Sequence, residues 1–123
     1  VNLLLDTHVL LWFAQADARL GSAARAAVRQ GGNVSAITTW EIGIKQALGR
    51  LDAGALQGWF EADDYRELPF TSRHGRVAGA LPPHHRDPFD RALVAQAQVE
   101  GLVLVTADPA VQQYDVALLD ATR

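Results

Sequence analysis

The opening run Val1-Asn2-Leu3-Leu4-Leu5, closed by Asp6, restricts the fold more than any other stretch of the chain. It is too short for a helix of its own. So apolar a segment reads as a strand buried on both faces, the kind found at the centre of a parallel sheet. Thr7 to Ala16 then continues as a helix that is apolar nearly all round, through Val9, Leu10, Leu11, Trp12, Phe13 and Ala14. Asp6 therefore stands both at the carboxyl end of a strand and at the start of a helix. Ligands of open α/β sheets bind in the crevice at such ends. Taken alone, Asp6 reads equally well as an ordinary cap for free helix N–H groups.

The remaining pattern alternates strand and helix. Leu20, Ala24, Ala27 and Val28 share one face of a second helix that Ser22 is placed to cap, and Gly31-Gly32 ends it. Asn33 to Ile37 reads as a second strand. Thr38 to Leu48 reads as a helix carrying an apolar stripe of Ile37, Trp40, Ile44, Ala47, Leu48 and Leu51, with Glu41 in its first turn. Gly49 to Gly54 is a turn, and Leu56, Trp59 and Phe60 mark a short helix ending at Asp63-Asp64. Arg66 to Phe70 is a strand that Pro69 restricts to a sheet edge, because proline donates no ladder hydrogen bond. Thr71 or Ser72 caps a helix through Leu81, and Asp87-Pro88 opens another that runs to Glu100 and stops at Gly101. Leu102 to Val105 is a second fully apolar strand, Asp108-Pro109 starts a short helix, and Val116 to Leu119 is a last strand. Such alternation implies right-handed crossovers and a mostly parallel sheet covered on both faces, an α/β fold.

With 123 residues, 49% of them hydrophobic and 20% charged, the expectation is one domain over 1–123. No apolar run is long enough for a membrane span, and the N-terminus lacks the basic flank of a signal peptide, so a cytoplasmic location is expected. The absence of cysteine excludes disulfides and thiolate metal sites, leaving oxygen donors and four histidines. The net charge of −3 argues against a nucleic-acid partner unless acids are concentrated in one place. Setting four acids aside in a pocket leaves ten against eleven cations, ten of which are Arg, the better fork for phosphate.

Asp6, Glu41, Asp90 and Asp108 are the candidates for such a pocket. Each has an ordinary reading: Thr38-x-x-Glu41 matches a capping box, Asp90 sits at the favourable end of a helix dipole, and Asp108-Pro109 is a cap. Together they say more. In a parallel sheet the helices that follow strands begin on the same edge, so the four carboxylates would crowd one crevice. Like charges in contact there repel by several kcal/mol, more than a cap contributes, so the cluster calls for a cation. An all-oxygen set suits Mg2+ or Mn2+, which leave positions for substrate phosphate.

The runs Leu-Leu-Leu-Asp-Thr-His-x-Leu-Leu-Trp at 3–12, Trp-Glu-Ile-x-Ile-Lys at 40–45, His-His-Arg-Asp-Pro-Phe-Asp-Arg-x-Leu-Val-Ala-Gln-Ala at 84–97 and Leu-Val-Thr-Ala-Asp at 104–108 resemble the PIN-domain ribonucleases. More closely, they resemble the VapC-type toxins of bacterial toxin–antitoxin pairs. The resemblance covers the whole chain in order. It implies a five-stranded sheet in the order 3-2-1-4-5 and a metal-dependent endoribonuclease that leaves 5′-phosphate and 3′-hydroxyl ends. The family's acids fall on Asp6, Glu41, Asp90 and Asp108, with Asp6, Asp90 and Glu41 holding the metal and Asp108 a second, weaker position. Thr106 corresponds to the family's Thr or Ser before the last acid, and Thr7 is a further supporting residue. Asp87 is read as a helix cap that could also order a water at the metal. Arg86, His85 and Lys45 are candidate contacts for RNA phosphates, although Lys45 is also spaced to pair with Glu41. His8 reads as a core or dimer-contact residue. Trp12, Trp40, Trp59 and Phe60 are more large aromatics than short helices easily hide, which points to a subunit or partner contact. The resemblance implies a homodimer and a cognate antitoxin.

Other classes fit less well. A response-regulator receiver needs adjacent acids after strand 1 and a phosphoacceptor after strand 3, where this chain has Thr7-His8 and Pro69-Phe70-Thr71. A haloacid-dehalogenase-like phosphatase needs an Asp where His8 stands. The main alternative is a non-catalytic PIN-like domain that binds RNA or protein.

Overall fold

β1 (Leu3–Leu5) is the central strand of the computed structural model, which describes residues 2–51 and 64–123. It pairs in parallel with β2 (Gly32–Ser35) on one side and β4 (Val103–Thr106) on the other, with Leu4 opposite Asn33 and Leu104. β3 (Tyr65–Leu68) flanks β2, and β5 (Leu118–Asp120) flanks β4. The order is β3-β2-β1-β4-β5, all parallel, as expected. β3 is indeed an edge strand, and Pro69 lies just beyond its last ladder residue.

Alternation along β1 divides the core in two. Leu3 and Leu5 face Val9, Leu10, Leu20, Ala24, Val28 and Val105, whereas Leu4 faces Leu93, Val94, Ala97 and Leu104. The first layer is supplied by α1 (Thr7–Ala14) and α2 (Ser22–Arg29), the second by α5 (Pro88–Glu100). Each fully buried leucine contributes about 2 kcal/mol of apolar transfer. Two further helices, α3 (Ala36–Ala47) and α4 (Ser72–Ala80), pack against α5. Among the described residues no helix is long and apolar enough to cross a membrane.

Several helix starts follow the sequence reading. The Asp6 side chain accepts from the His8 N–H, and Asp87 accepts from the Phe89 N–H ahead of Pro88. Thr71 and His74 form a reciprocal cap on α4, and Gly101 ends α5 in the left-handed region at φ 66°.

Two starts differ. Ser22 does not cap α2: the cap position is Gly21, and the N–H groups of Ala23 and Ala24 donate to the Arg123 carbonyl oxygen. Only glycine permits that approach, since a Cβ at position 21 would lie 2.2 Å from the Arg123 carbonyl carbon. α3 begins at Ala36 because the Ser35 hydroxyl accepts from the Ile37 N–H, so the Thr38–Glu41 capping box does not form and Glu41 lies in the second turn. The Ser35 hydroxyl also donates to Gln96 Oε1 at 2.6 Å, and Gln96 Nε2 donates to the Pro69 carbonyl, tying the end of β2 to α5.

This phase turns Thr38, Glu41 and Ile42 inward and leaves Trp40 (61% exposed), Ile44 and Leu48 (60%) on the surface. The expected helix around Leu56, Trp59 and Phe60, with Asp63, lies outside the described residues.

Candidate active site

In a wholly parallel sheet the carboxyl ends of all strands share one edge. β1 ends there at Asp6, β4 at Thr106 with Asp108 two residues on, and β2 feeds directly into α3, which carries Glu41. Asp90 joins them from the first turn of α5.

Three hydrogen-bonded groups make up the site. Asp6 is buried, and its Oδ2 accepts from the Thr106 hydroxyl at 2.7 Å while its Oδ1 accepts from the His8 N–H at 2.9 Å. Thr106 in turn accepts from the Asp108 N–H, so one hydroxyl links the first acid to the last. In the second group the Thr7 hydroxyl donates to Glu41 Oε1 at 2.7 Å, with the buried Thr38 hydroxyl 3.3 Å from that of Thr7. Lys45 Nζ lies 3.1 Å from Glu41 Oε2, the i,i+4 pair its spacing allowed. Thr7 is thus a support of Glu41, and Lys45 is engaged within the site.

The third group was not legible in the sequence. His85 Nε2 stands 2.8 Å from Asp108 Oδ2 and 3.0 Å from Asp90 Oδ2. Its Nδ1 accepts from the Asp87 N–H at 3.0 Å, which places the proton of the neutral ring on Nε2, between the two carboxylates. Instead of reaching outward to phosphate, His85 bridges two acids. The loop that carries it is pinned from behind. The Tyr114 hydroxyl accepts from the His85 N–H and donates to the Pro82 carbonyl, and the Arg91 guanidinium donates to the carbonyls of Ala78, Leu81, Pro82 and His85.

The electrostatics follow from this crowding. Burial, together with the charges of Asp6 and Asp87, pushes the Asp90 carboxyl up to about 7, against the smaller opposing influence of His85; Glu41 adds to the rise. Burial works against ionisation of Asp108 as well, but bonds from His85 and the Ala110 N–H outweigh it and hold this carboxyl below its ordinary value. His85 is raised: burial opposes its protonation, and the bond to Asp108 with the charges of Asp90, Asp108 and Asp87 outweighs that. Charging the ring at Nδ1 would, however, break its bond from the Asp87 N–H.

The four acids predicted from the sequence therefore meet at one edge, but not in one tight cluster. Among the described residues, His85, Asp90 and Asp108 offer ligand atoms within 4.8 Å of one another, a grouping that lacks Asp6 and Glu41. Arg86 is exposed and makes no ion pair with a described residue. His8 is not a core residue: its side chain is 60% exposed, its Nδ1 is 3.7 Å from Asp6 Oδ1, and it lines a cleft of about 280 Å³ with Asp6, Trp12, Arg19 and Asp108. The Arg19 guanidinium lies 4.8 Å from the centroid of the Trp12 ring in the same cleft.

Asp87 and Asp90 divide their work by position: Asp87 caps α5 from outside, whereas Asp90 carries the buried charge. Asp87→Ala is expected to destabilise the fold by about 1 kcal/mol. Asp90→Asn leaves that cap in place and should not carry this loss, as parallel urea titrations of the two variants would record.

A family model for the PIN domain matches residues 3–117. Among curated proteins none matches the chain in sequence. The fold is shared with VapBC2 from Rickettsia felis bound to a DNA fragment from their promoter, at TM-score 0.73 and 11% identity over 96% of this chain and 97% of that one. DNA-bound VapBC from Salmonella typhimurium gives TM-score 0.73 and 16% identity over 98% of each chain. FitAcB from Neisseria gonorrhoeae gives 0.66 and 20% over 97% of each. At these identities the likeness is one of fold.

Proposed function

Because this chain belongs to the PIN domain family, we propose that it is a metal-dependent endoribonuclease acting as the VapC-type toxin of a toxin–antitoxin pair. The observation that carries this reading is the meeting of Asp6, Glu41, Asp90 and Asp108 at the carboxyl edge of the sheet, where burial and the charges of Asp6 and Asp87 push Asp90 up to about 7. A site with so many carboxylates fits a divalent cation, and its oxygen donors suit Mg2+ or Mn2+. Asp6, Asp90 and Glu41 would hold the ion, with Asp108 at a second position. When bound, it supplies the Lewis acidity and the activated water that phosphodiester hydrolysis requires.

The chain's own residues prepare that chemistry. Thr106 and Thr7 donate to Asp6 and Glu41, which fixes the direction of both carboxylates, and Asp87 fixes the helix end that presents Asp90. Arg86, exposed beside the site, is the phosphate contact, and Lys45 limits the charge on Glu41. A quenched fluorescent RNA should be cut with Mg2+ and left intact in chelator. Binding of that RNA without cutting, at saturating Mg2+, would favour the non-catalytic alternative.

The fold neighbours are toxin–antitoxin complexes, and a toxic nuclease needs an inhibitor. The exposed stripe of Trp40, Ile44 and Leu48 offers an apolar face for a cognate antitoxin. Trp40→Asp, at a largely exposed position whose ring meets Phe89 edge-on, should weaken antitoxin capture about tenfold or more while the protein stays folded by circular dichroism. If the antitoxin sends a basic side chain into the acids, its inhibition weakens as Mg2+ rises; inhibition indifferent to Mg2+ would mean that it only blocks access. The toxin itself should run as a homodimer by light scattering at micromolar concentration, and a monomer mass would count against that part of the proposal.

A further inference from the structure

We propose that the cleft beside Asp6 and Asp108 is a nucleobase subsite, in which one base of a single-stranded RNA stacks on the pair formed by Trp12 and Arg19. The inference rests on the nuclease reading, since Asp6 and Asp108 belong to the cleft wall together with His8, Trp12, Arg19 and Ala107. A base held there lies next to the acids.

The local sequence builds this wall. His8 and Trp12 stand one turn apart on α1, with ring centroids 6.4 Å apart and planes inclined by 54°. Where α1 ends, the chain folds back. The Asp17 N–H donates to the Trp12 carbonyl and the Ala16 N–H to that of Phe13, with Ala16 in the left-handed region at φ 52°, where glycine is usual. Arg19 then returns over the Trp12 ring, its guanidinium carbon 4.8 Å from the ring centroid.

Arg19 is held there as a flat surface and not offered as a fork for phosphate. Its Nε and Nη2 donate to the two carboxylate oxygens of Asp17, the shortest contact being 2.7 Å, and that is a bidentate edge of the kind that grips phosphate. Asp17 also balances the charge of Arg19, while Asp6 and Asp108 repel a phosphate from the cleft. What remains for a nucleotide is π surface: the indole, the guanidinium and the His8 ring, whose side chain is 60% exposed. Unpaired bases stack on aromatic rings and guanidinium planes with little regard to base identity. A cleft of about 280 Å³ suits one base.

The test is fluorescence anisotropy of a labelled single-stranded RNA in chelator over a series of salt concentrations, for wild type, Arg19→Ala, Arg19→Lys and Trp12→Leu, with circular dichroism to report folding. Arg19→Ala and folded Trp12→Leu should each raise Kd about tenfold. Arg19→Lys keeps the charge without the plane and should lose nearly as much. The salt dependence should keep its wild-type slope in all of them, and an abasic RNA of equal length should bind wild type and Arg19→Ala alike. Wild type without affinity for the RNA, or an unchanged Kd in Arg19→Ala, would overturn the subsite even where Mg2+ supports cleavage. Recovery by Arg19→Lys, with a slope shallower by about 0.7 in Arg19→Ala, would overturn it by making Arg19 a phosphate contact. A shift of Arg19→Ala from dimer to monomer mass in light scattering would assign the cleft to a subunit contact instead. RNA bound as expected but never cut with Mg2+ would remove the nuclease reading and leave the base subsite standing.

Discussion

Asp90→Asn is expected to abolish metal-dependent RNA cleavage and at the same time to stabilise the metal-free protein at pH 8. In the folded chain this carboxyl is raised from 3.8 to about 7, first by burial and then by Asp6 and Asp87. Its ordinary value applies in the unfolded chain. Below pH 4 the group is protonated in both states and contributes nothing. Above pH 7 it is ionised in both, and the folded state carries the full penalty of burial and repulsion. Wild-type stability in chelator should therefore fall as pH rises from 4 through 7, and the Asn variant should lack that slope. Allowing for screening at a partly open site, the gain at pH 8 is on the order of 2 kcal/mol, or about 8 °C in melting temperature. Asp6→Asn should lose cleavage as completely. A variant as active as wild type, or an Asp90→Asn protein less stable than wild type in chelator at pH 8, would contradict this account of the charge.

Arg91→Ala should have the largest effect of any substitution outside the acids. Its guanidinium donates to four backbone carbonyls, at 2.8 Å to Ala78, 3.0 Å to Leu81, 3.0 Å to Pro82 and 3.3 Å to His85. It also lies 3.3 Å from the Tyr114 hydroxyl. The first two of those carbonyls belong to the C-terminal end of α4, where a cation is favoured. Alanine leaves them unmade and frees the loop that carries His85. The expected loss is about 3 kcal/mol by urea denaturation, with a fall of about 10- to 100-fold in cleavage under conditions where the variant is still folded. Arg91→Lys, which cannot fork across several carbonyls, should fall between. An Arg91→Ala protein with the wild-type urea midpoint and wild-type turnover would show that the clamp does neither job.

The sequence carried the frame of this fold because its strongest signals are local. Leu3 to Leu5, Asp87-Pro88 and Gly101 each dictate their structure from within a few residues, and all three behave as read. The start of α3 was misplaced because Val34, Ala36 and Ile37 extend the apolar strand pattern, while the decisive contact is the Ser35 hydroxyl turned back onto Ile37 N–H. That shift of phase also decides which face of α3 is buried, so the apolar stripe of Trp40, Ile44 and Leu48 came out on the surface and the polar Thr38 and Glu41 faced the site. Spacing after strands was enough to collect Asp6, Glu41, Asp90 and Asp108 at one edge. It was not enough to orient His85, whose ring is set by Asp87 next to it and by Tyr114 and Arg91 through the loop backbone. Arg91 stands in the 84–97 run, but nothing in that run says that its partners are carbonyls up to 13 residues earlier.

The most direct test of the acid cluster as a nuclease centre is to follow Mn2+ occupancy and cleavage of an end-labelled RNA in the same titration. The account predicts that the cleavage rate rises in proportion to occupancy of the first site, that it is absent in chelator, and that Asp6→Asn loses both together. Cleavage that persists in chelator, or full occupancy by Mn2+ with no cleavage of any RNA offered, would contradict it.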